Sequence, residues 1–159
     1  MTSYYGRQTC GNGHVISNYL GDPFHGATAS FCRKCGAETI TNCSACGAAQ
    51  RGAIEGGAFT PNLPADAYCH NCGKPYPWTL KQVEAAAEMV KEDEQLSNED
   101  KATLTKSLPD LIADTPSTTL AATRFKRIVD KTGPVFKAAM YKFIVDVSSS
   151  TAKKIVCGD

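Results

Sequence analysis

Six of the eight cysteines in this 159-residue chain form three Cys-x-x-Cys pairs: Cys32/Cys35, Cys43/Cys46 and Cys69/Cys72. Each pair is followed directly by a glycine: Gly36, Gly47 or Gly73. Two thiolates at this spacing reach one ion only if the chain turns tightly between them. Glycine just after the second cysteine accepts the left-handed conformation that closes the turn and directs its amides at sulfur. A fourth turn, Cys10-Gly-Asn-Gly-His14, offers a thiolate and an imidazole, both good ligands for Zn²⁺. The count then closes at eight ligands for two Zn²⁺ ions per chain. One site would take Cys10, His14, Cys32 and Cys35, and the other Cys43, Cys46, Cys69 and Cys72.

Ligand identity is better determined than ligand pairing. Sequential pairing lets each ribbon close locally at low loop entropy and is the expected order. A cross-braced order, first turn with third and second with fourth, stays open. His25 and His70 compete with His14, which has the better spacing. His70 lies between two ligands that point inward, so its own side chain is expected to point outward. A disulfide framework is disfavoured by the absence of a signal peptide and by the closeness of the paired cysteines. Redox use of a Cys-x-x-Cys pair calls for one exposed low-pKa thiol at a helix start. Iron in the all-cysteine site is the alternative metal. Cys157 has no partner turn and reads as a small apolar residue.

These turns need a scaffold, and composition bounds what it is. Seventeen basic against 16 acidic residues give a net charge of +1, which argues against a protein whose main task is coating nucleic acid or anionic membrane. Hydrophobic residues at 42% exclude global disorder. No apolar run approaches the roughly 18 residues of a membrane span, and a cytoplasmic location is expected. Residues 1–78 carry few large aliphatics, and β-like runs are expected at Val15-Ile16, Thr28–Cys32, Glu38–Thr41 and Ala67–Cys69. Such a half cannot bury much core, so bound metal would hold it together.

Composition changes at Pro77-Trp78-Thr79, and residues 79–159 read as four helices in a bundle. Thr79 with Gln82 forms a capping box, and Leu80, Val83, Ala87 and Val90 make the first apolar stripe. Ser97 caps a second helix that is expected to stop before Pro109. Thr115-Pro116 starts a third, with Leu120, Ala121, Phe125, Ile128 and Val129 on its stripe and Gly133 at its end. Pro134 begins the fourth, with Phe136, Met140, Phe143 and Val147 at helical spacing and a potential break at Ser148–Ser150. Residues 84–100 hold seven acids and residues 124–142 six bases, expected as solvated faces that complement each other. The expected architecture is a small α+β protein: tandem zinc ribbons of short antiparallel β hairpins and zinc knuckles, then a C-terminal α-helical bundle.

The runs C-G-N-G-H-V-I, F-C-R-K-C-G-A-E-T-I-T, C-S-A-C-G and Y-C-H-N-C-G-K-P-Y-P-W-T together resemble an uncharacterised bacterial family, a domain of unknown function. Ala113–Thr118 and Ser150–Lys154 are similar to it as well, so the resemblance covers nearly the whole chain. It implies a double zinc ribbon followed by helices and reinforces the eight ligands, but implies no activity. The segment Ala48-Ala49-Gln50-Arg51-Gly52 departs from the aliphatic-Arg-Gly expected after the third turn.

Three functions follow as expectations. The first is a zinc-stabilised scaffold that docks a protein partner, which fits closed four-ligand sites and balanced charge. The second is nucleic-acid binding, with Arg7, Arg33, Lys34, Arg51 and Lys74 along a phosphate path beside Phe31 and Tyr76. The third, a metal-dependent enzyme, lacks support. The chain carries no H-x-E ahead of a P-C-x-x-C, no P-loop and no G-x-S-x-G, and four protein ligands would leave zinc no position for water.

Overall fold

The computed structural model describes residues 1–158. The chain divides into two compact units, the first Met1–Leu80 and the second from Lys81 onward.

The first unit is built on a four-stranded antiparallel sheet: β1 (Tyr4–Cys10), β2 (Val15–Leu20), β3 (Thr39–Ile40) and β4 (Arg51–Ile54). All three shorter strands pair with β1. Gly6 faces Leu20 of β2 and also Arg51 of β4, while Thr9 and Cys10 face Ile40 and Thr39 of β3. β1 therefore has β2 along one edge and shares its other edge between β4 and β3. Of the expected β runs, Val15-Ile16 extends to Leu20 and Glu38–Thr41 shrinks to two residues. Thr28–Cys32 and Ala67–Cys69 form only single bridges, Phe31 with Glu38 and Tyr68 with Pro75.

The central strand escapes a hydrophobicity reading because its buried residues are polar. Arg7, Gln8 and Thr9 are buried, as are Ser17, Asn18 and Gln50 opposite them. Burying such groups is tolerable only when each is hydrogen-bonded. Arg7 Nε donates to Asn18 Oδ1 at 2.7 Å, and Thr9 Oγ1 donates to Gln50 Oε1 at 3.1 Å. The Gln8 amide bridges to Ala29, donating to its carbonyl at 2.9 Å and accepting from its N–H at 3.1 Å. Among the described residues no buried side-chain nitrogen or oxygen lacks a partner. Gln50 thus explains the departure after the third turn. Where an aliphatic residue was expected, its amide satisfies Thr9 and the Ile40 carbonyl inside the sheet.

The second unit is helical: α1 (Pro77–Glu92, which starts within the first unit), α2 (Asn98–Ile112), α3 (Thr118–Val129), α4 (Pro134–Val147) and α5 (Ser150–Cys157). Its core joins Ala86 and Val90 of α1, Leu104, Leu108 and Leu111 of α2, Phe125 and Ile128 of α3, Met140 and Ile144 of α4, and Val156 of α5. Five helices form where four were expected, because the break near Ser148 is complete. Ser148 Oγ turns back to the Ile144 carbonyl, and Ser149 Oγ accepts from the Ala152 amide to cap α5.

Other expectations are corrected by packing. α2 does not stop before Pro109 but runs to Ile112, since Leu108, Leu111 and Ile112 are all buried. Their burial outweighs the hydrogen bond that proline cannot donate. Thr79 does not form the capping box; α1 begins at Pro77, and Thr79 Oγ1 donates to the Ala67 carbonyl at 2.8 Å. Leu80 and Leu120 leave their expected stripes and are about half exposed. α3 begins at Thr118 rather than Pro116, and Gly133 caps the start of α4 instead of ending α3. Ser97 caps α2 as expected, accepting from the Asp100 amide at 3.1 Å. The ion pairs formed by residues of the two runs, Glu88–Lys91, Asp130–Lys137 and Lys142–Asp146, do not join one run to the other. Among the described residues no helix is long and apolar enough to cross a membrane.

Candidate metal centres

The three Cys-x-x-Cys turns share one backbone pattern. The amide of the first cysteine donates to the carbonyl five residues on, Cys32 to Ala37, Cys43 to Ala48 and Cys69 to Lys74, at 2.8–2.9 Å. The glycine amide donates back to the first cysteine carbonyl at 2.7–2.9 Å. Gly36, Gly47 and Gly73 adopt φ of 72°, 76° and 70°, the left-handed conformation expected from the motif. The Cys10–His14 turn is one residue tighter: Cys10 N–H donates to the His14 carbonyl, and Gly13, at φ 84°, donates to the Cys10 carbonyl. Strand pairing holds this turn at the β1 end, because Cys10 is the last residue of β1 and Val15 the first of β2.

The turns bring the eight residues into two groups in sequential order. Cys10, His14, Cys32 and Cys35 form one, and Cys43, Cys46, Cys69 and Cys72 the other, with the donor atoms of each group all within 4.8 Å of one another. The cross-braced order is not the one formed. A tetrahedral ion bound by sulfur at about 2.3 Å sets its sulfurs about 3.8 Å apart, and about 3.6 Å from an imidazole nitrogen. In the first group Cys10 Sγ lies 3.7 Å from Cys35 Sγ and 3.5 Å from His14 Nδ1, and Cys32 Sγ lies 3.6 Å from the same nitrogen. In the second, Cys43 and Cys72 sulfurs are 3.9 Å apart and those of Cys46 and Cys69 3.7 Å. These match the edges of a tetrahedron that a metal ion could occupy. They are far from the roughly 2.05 Å of a disulfide. Each group could hold one metal ion, with all four positions filled by protein.

The competing histidines lie elsewhere. His25 Nδ1 sits 3.0 Å from Asp22 Oδ1, with its ring against Tyr19 and Phe59. His70 is exposed. Cys157 is exposed and belongs to neither group.

Sequence reasoning missed two asparagines that strap the turns together. Asn12, inside the first turn, donates its side-chain amide to Cys35 Sγ across the first group at 3.4 Å. Asn71, inside the fourth, donates its side-chain amide to Cys46 Sγ across the second at 3.6 Å and its backbone amide to Cys69 Sγ at 3.4 Å. Cys35 and Cys46 are the exposed members of their groups. Each receives a donor from the third residue of the facing turn. The signal was present in the sequence as the shared Cys-x-Asn of Cys10–Asn12 and Cys69–Asn71.

Such donors favour thiolate over thiol. The Ala37 amide, followed by the Asn12 side chain, brings Cys35 down to about 6. The Cys72 and Asn71 amides bring Cys69 down to about 6, and the Ala48 amide with Asn71 lowers Cys46. Burial raises Cys10. Metal ligands must be deprotonated, so these donors do part of the work that a bound cation completes.

Tyr76 and Trp78 are buried beside the second group. Their rings stack at 4.5 Å and 13°, and both belong to the buried cluster that contains Cys43 and Cys69. Desolvation raises the Tyr76 hydroxyl pKa well above its usual value. The phosphate path drawn from sequence loses two members here: Arg7 is buried against Asn18 and Asp66, and Tyr76 is buried under the second group. Phe31, Arg33, Lys34, Arg51 and Lys74 are exposed.

Neither curated proteins nor solved structures yield a match to this chain. One family model does, that of an uncharacterized protein conserved in bacteria (DUF2321), over residues 3–156. The turns that suggested an uncharacterised bacterial family therefore did so correctly, and the chain belongs to that family.

Proposed function

We propose that each group binds one Zn²⁺ and that the zinc-stapled first unit is a scaffold that docks a protein partner. The donor-atom spacing supports the metal reading most directly: both sets have tetrahedral edges, and both use only sulfur and imidazole, the donors of structural zinc sites. Four protein ligands leave no position for water, so the ion's role is to hold the four turns. Structural zinc contributes apparent binding free energies of about 10–16 kcal/mol, enough to stabilise a unit that buries no large aliphatic side chain. Reduced thiolates of this kind match a reducing compartment such as the cytoplasm.

Exposed aromatics support the docking part of the reading. Phe24 is 88% exposed and Phe59 59%, and Phe59 stacks on Tyr19 with ring centroids 5.1 Å apart. Large exposed apolar side chains of this kind are available to a protein partner.

Native mass spectrometry on protein purified without added metal tests the first part, with two zinc ions per chain expected. Cys32→Ser should lose one ion and retain the one held by Cys43, Cys46, Cys69 and Cys72. Iron or a single ion would overturn the reading. Cross-linking in cells with a photoreactive residue at Phe24 or Phe59 tests the second part. Capture of one defined protein is expected. Retention of RNA or DNA at low salt, lost on Arg33→Gln with Lys34→Gln, would replace docking by nucleic-acid binding.

A further inference from the structure

The first unit has a cavity of about 490 Å³ lined by β1, β4 and the segment that follows β4, and none of the eight candidate ligands lines it. Its walls are mostly apolar, with Tyr4, Ile54, Ala58 and Leu63 among them, and Arg7, Arg51 and Asp66 are its charged members. Size and character match a small-molecule site: apolar walls with a few placed polar groups.

The charged groups are held in defined ways. Arg7 is 4% exposed, yet it lines the cavity. Its Nε donates to Asn18 Oδ1 at 2.7 Å, and one terminal nitrogen pairs with Asp66 at 2.9 Å. Asn18 in turn donates to the Leu63 carbonyl at 3.1 Å, which ties the far wall to the same network. Arg51 lies over the Tyr4 ring, 5.0 Å from its centroid, and among the described residues it forms no ion pair with a carboxylate. Two guanidinium groups therefore face one carboxylate. The cavity carries one positive charge that the protein does not balance, set against an aromatic ring and aliphatic walls.

We propose that this cavity binds a small organic carboxylate with a flat apolar body. The carboxylate pairs with the Arg51 guanidinium, whose planar fork suits it, and the body packs between Tyr4, Ile54 and Leu63. Arg7 and Asp66 position the floor, and Asn18 keeps the 60–63 wall in place. The site requires neither the docking reading nor a particular metal identity.

Titration of the metal-loaded full chain, followed by amide NMR shifts, tests it. Benzoate presents the carboxylate of a free small acid, and N-acetylphenylalanine that of a polypeptide C-terminus. Saturable shifts confined to residues 51–66 and the facing part of β1 are expected with at least one, and the tighter of the two names the source. Benzyl alcohol, a neutral counterpart of benzoate, should bind at least about tenfold more weakly, and Arg51→Gln should cost a similar factor. Ala58→Leu, which narrows the cavity at an exposed position, should also reduce binding while both ions stay bound. Absence of saturable shifts with both acids would overturn the proposal. So would equal binding of benzyl alcohol, or unchanged affinity in both variants. If Arg51→Gln fails to give a dispersed spectrum, Ala58→Leu and the neutral probe decide.

Discussion

The indole of Trp78 lies so close to Gly13 that a Cβ on Gly13 would stand 2.8 Å from its Cγ. Gly13 belongs to the turn that carries Cys10 and His14, while Trp78 shares a buried cluster with Tyr76 and with Cys43 and Cys69 of the other group. Its Nε1–H donates to the Asp66 carbonyl at 3.0 Å, which fixes the ring. One aromatic side chain therefore lies against the first turn and in the buried cluster of the second group, and the absence of a side chain at Gly13 makes room for it.

Gly13→Ala should for that reason cost more than the same change at Gly36. Both glycines have positive φ, 84° and 72°, but nothing lies within 4 Å of a Cβ built on Gly36. Gly36→Ala carries only the left-handed penalty, about 1–2 kcal/mol. Gly13→Ala adds overpacking against Trp78, about 1–3 kcal/mol more. Chelator competition should show the Cys10/His14 ion released earlier in Gly13→Ala than in Gly36→Ala.

His14 should prove to be the histidine ligand. His14→Ala removes a donor that lies 3.5–3.6 Å from two sulfurs and should weaken one ion by at least tenfold. His14→Cys should keep two ions. His25→Ala should leave both unaffected, because His25 is engaged with Asp22. Metal stoichiometry by native mass spectrometry checks all three variants.

A strong chelator at neutral pH should unfold the turns before the helices. On the metal reading the first unit depends on its ligands, whereas the second buries Leu104, Leu108, Phe125, Met140 and Ile144 without any of them. Most helical circular dichroism should remain, and hydrogen exchange should rise first over residues 10–14, 32–36, 43–47 and 69–73.

Asp130 should make a pH-dependent contribution to stability. Lys137, at 2.8 Å, and the Tyr141 hydroxyl, at 2.9 Å, hold its carboxylate below the ordinary range. A carboxyl group lowered in the folded state stabilises above its unfolded value, about 3.9, and loses that contribution as pH falls through the folded value. The Tm difference between wild type and Asp130→Asn should therefore be present at about pH 6 and shrink below about pH 4. Partial exposure keeps the effect small.

What was legible from residues alone was local. Chelating turns are built within five residues, so Cys-x-x-Cys-Gly and Cys-x-x-x-His identify both the donors and the glycines that must adopt positive φ. Sequential grouping followed from short loops. Helix caps at Ser97 and the break at Ser148 could be read in the same way, since the hydrogen bonds concerned span three or four residues. Contacts distant in sequence decided the rest. The strand Tyr4–Cys10 carries no hydrophobic alternation, and its buried Arg7, Gln8 and Thr9 are stable only because Asn18, Asp66, Ala29 and Gln50 reach them. The same holds for Pro109 inside α2, where burial on both sides outweighs a local rule, and for Trp78 over Gly13. A polar group's burial depends on which partner the fold delivers to it. No window of sequence around Arg7 contains Asp66.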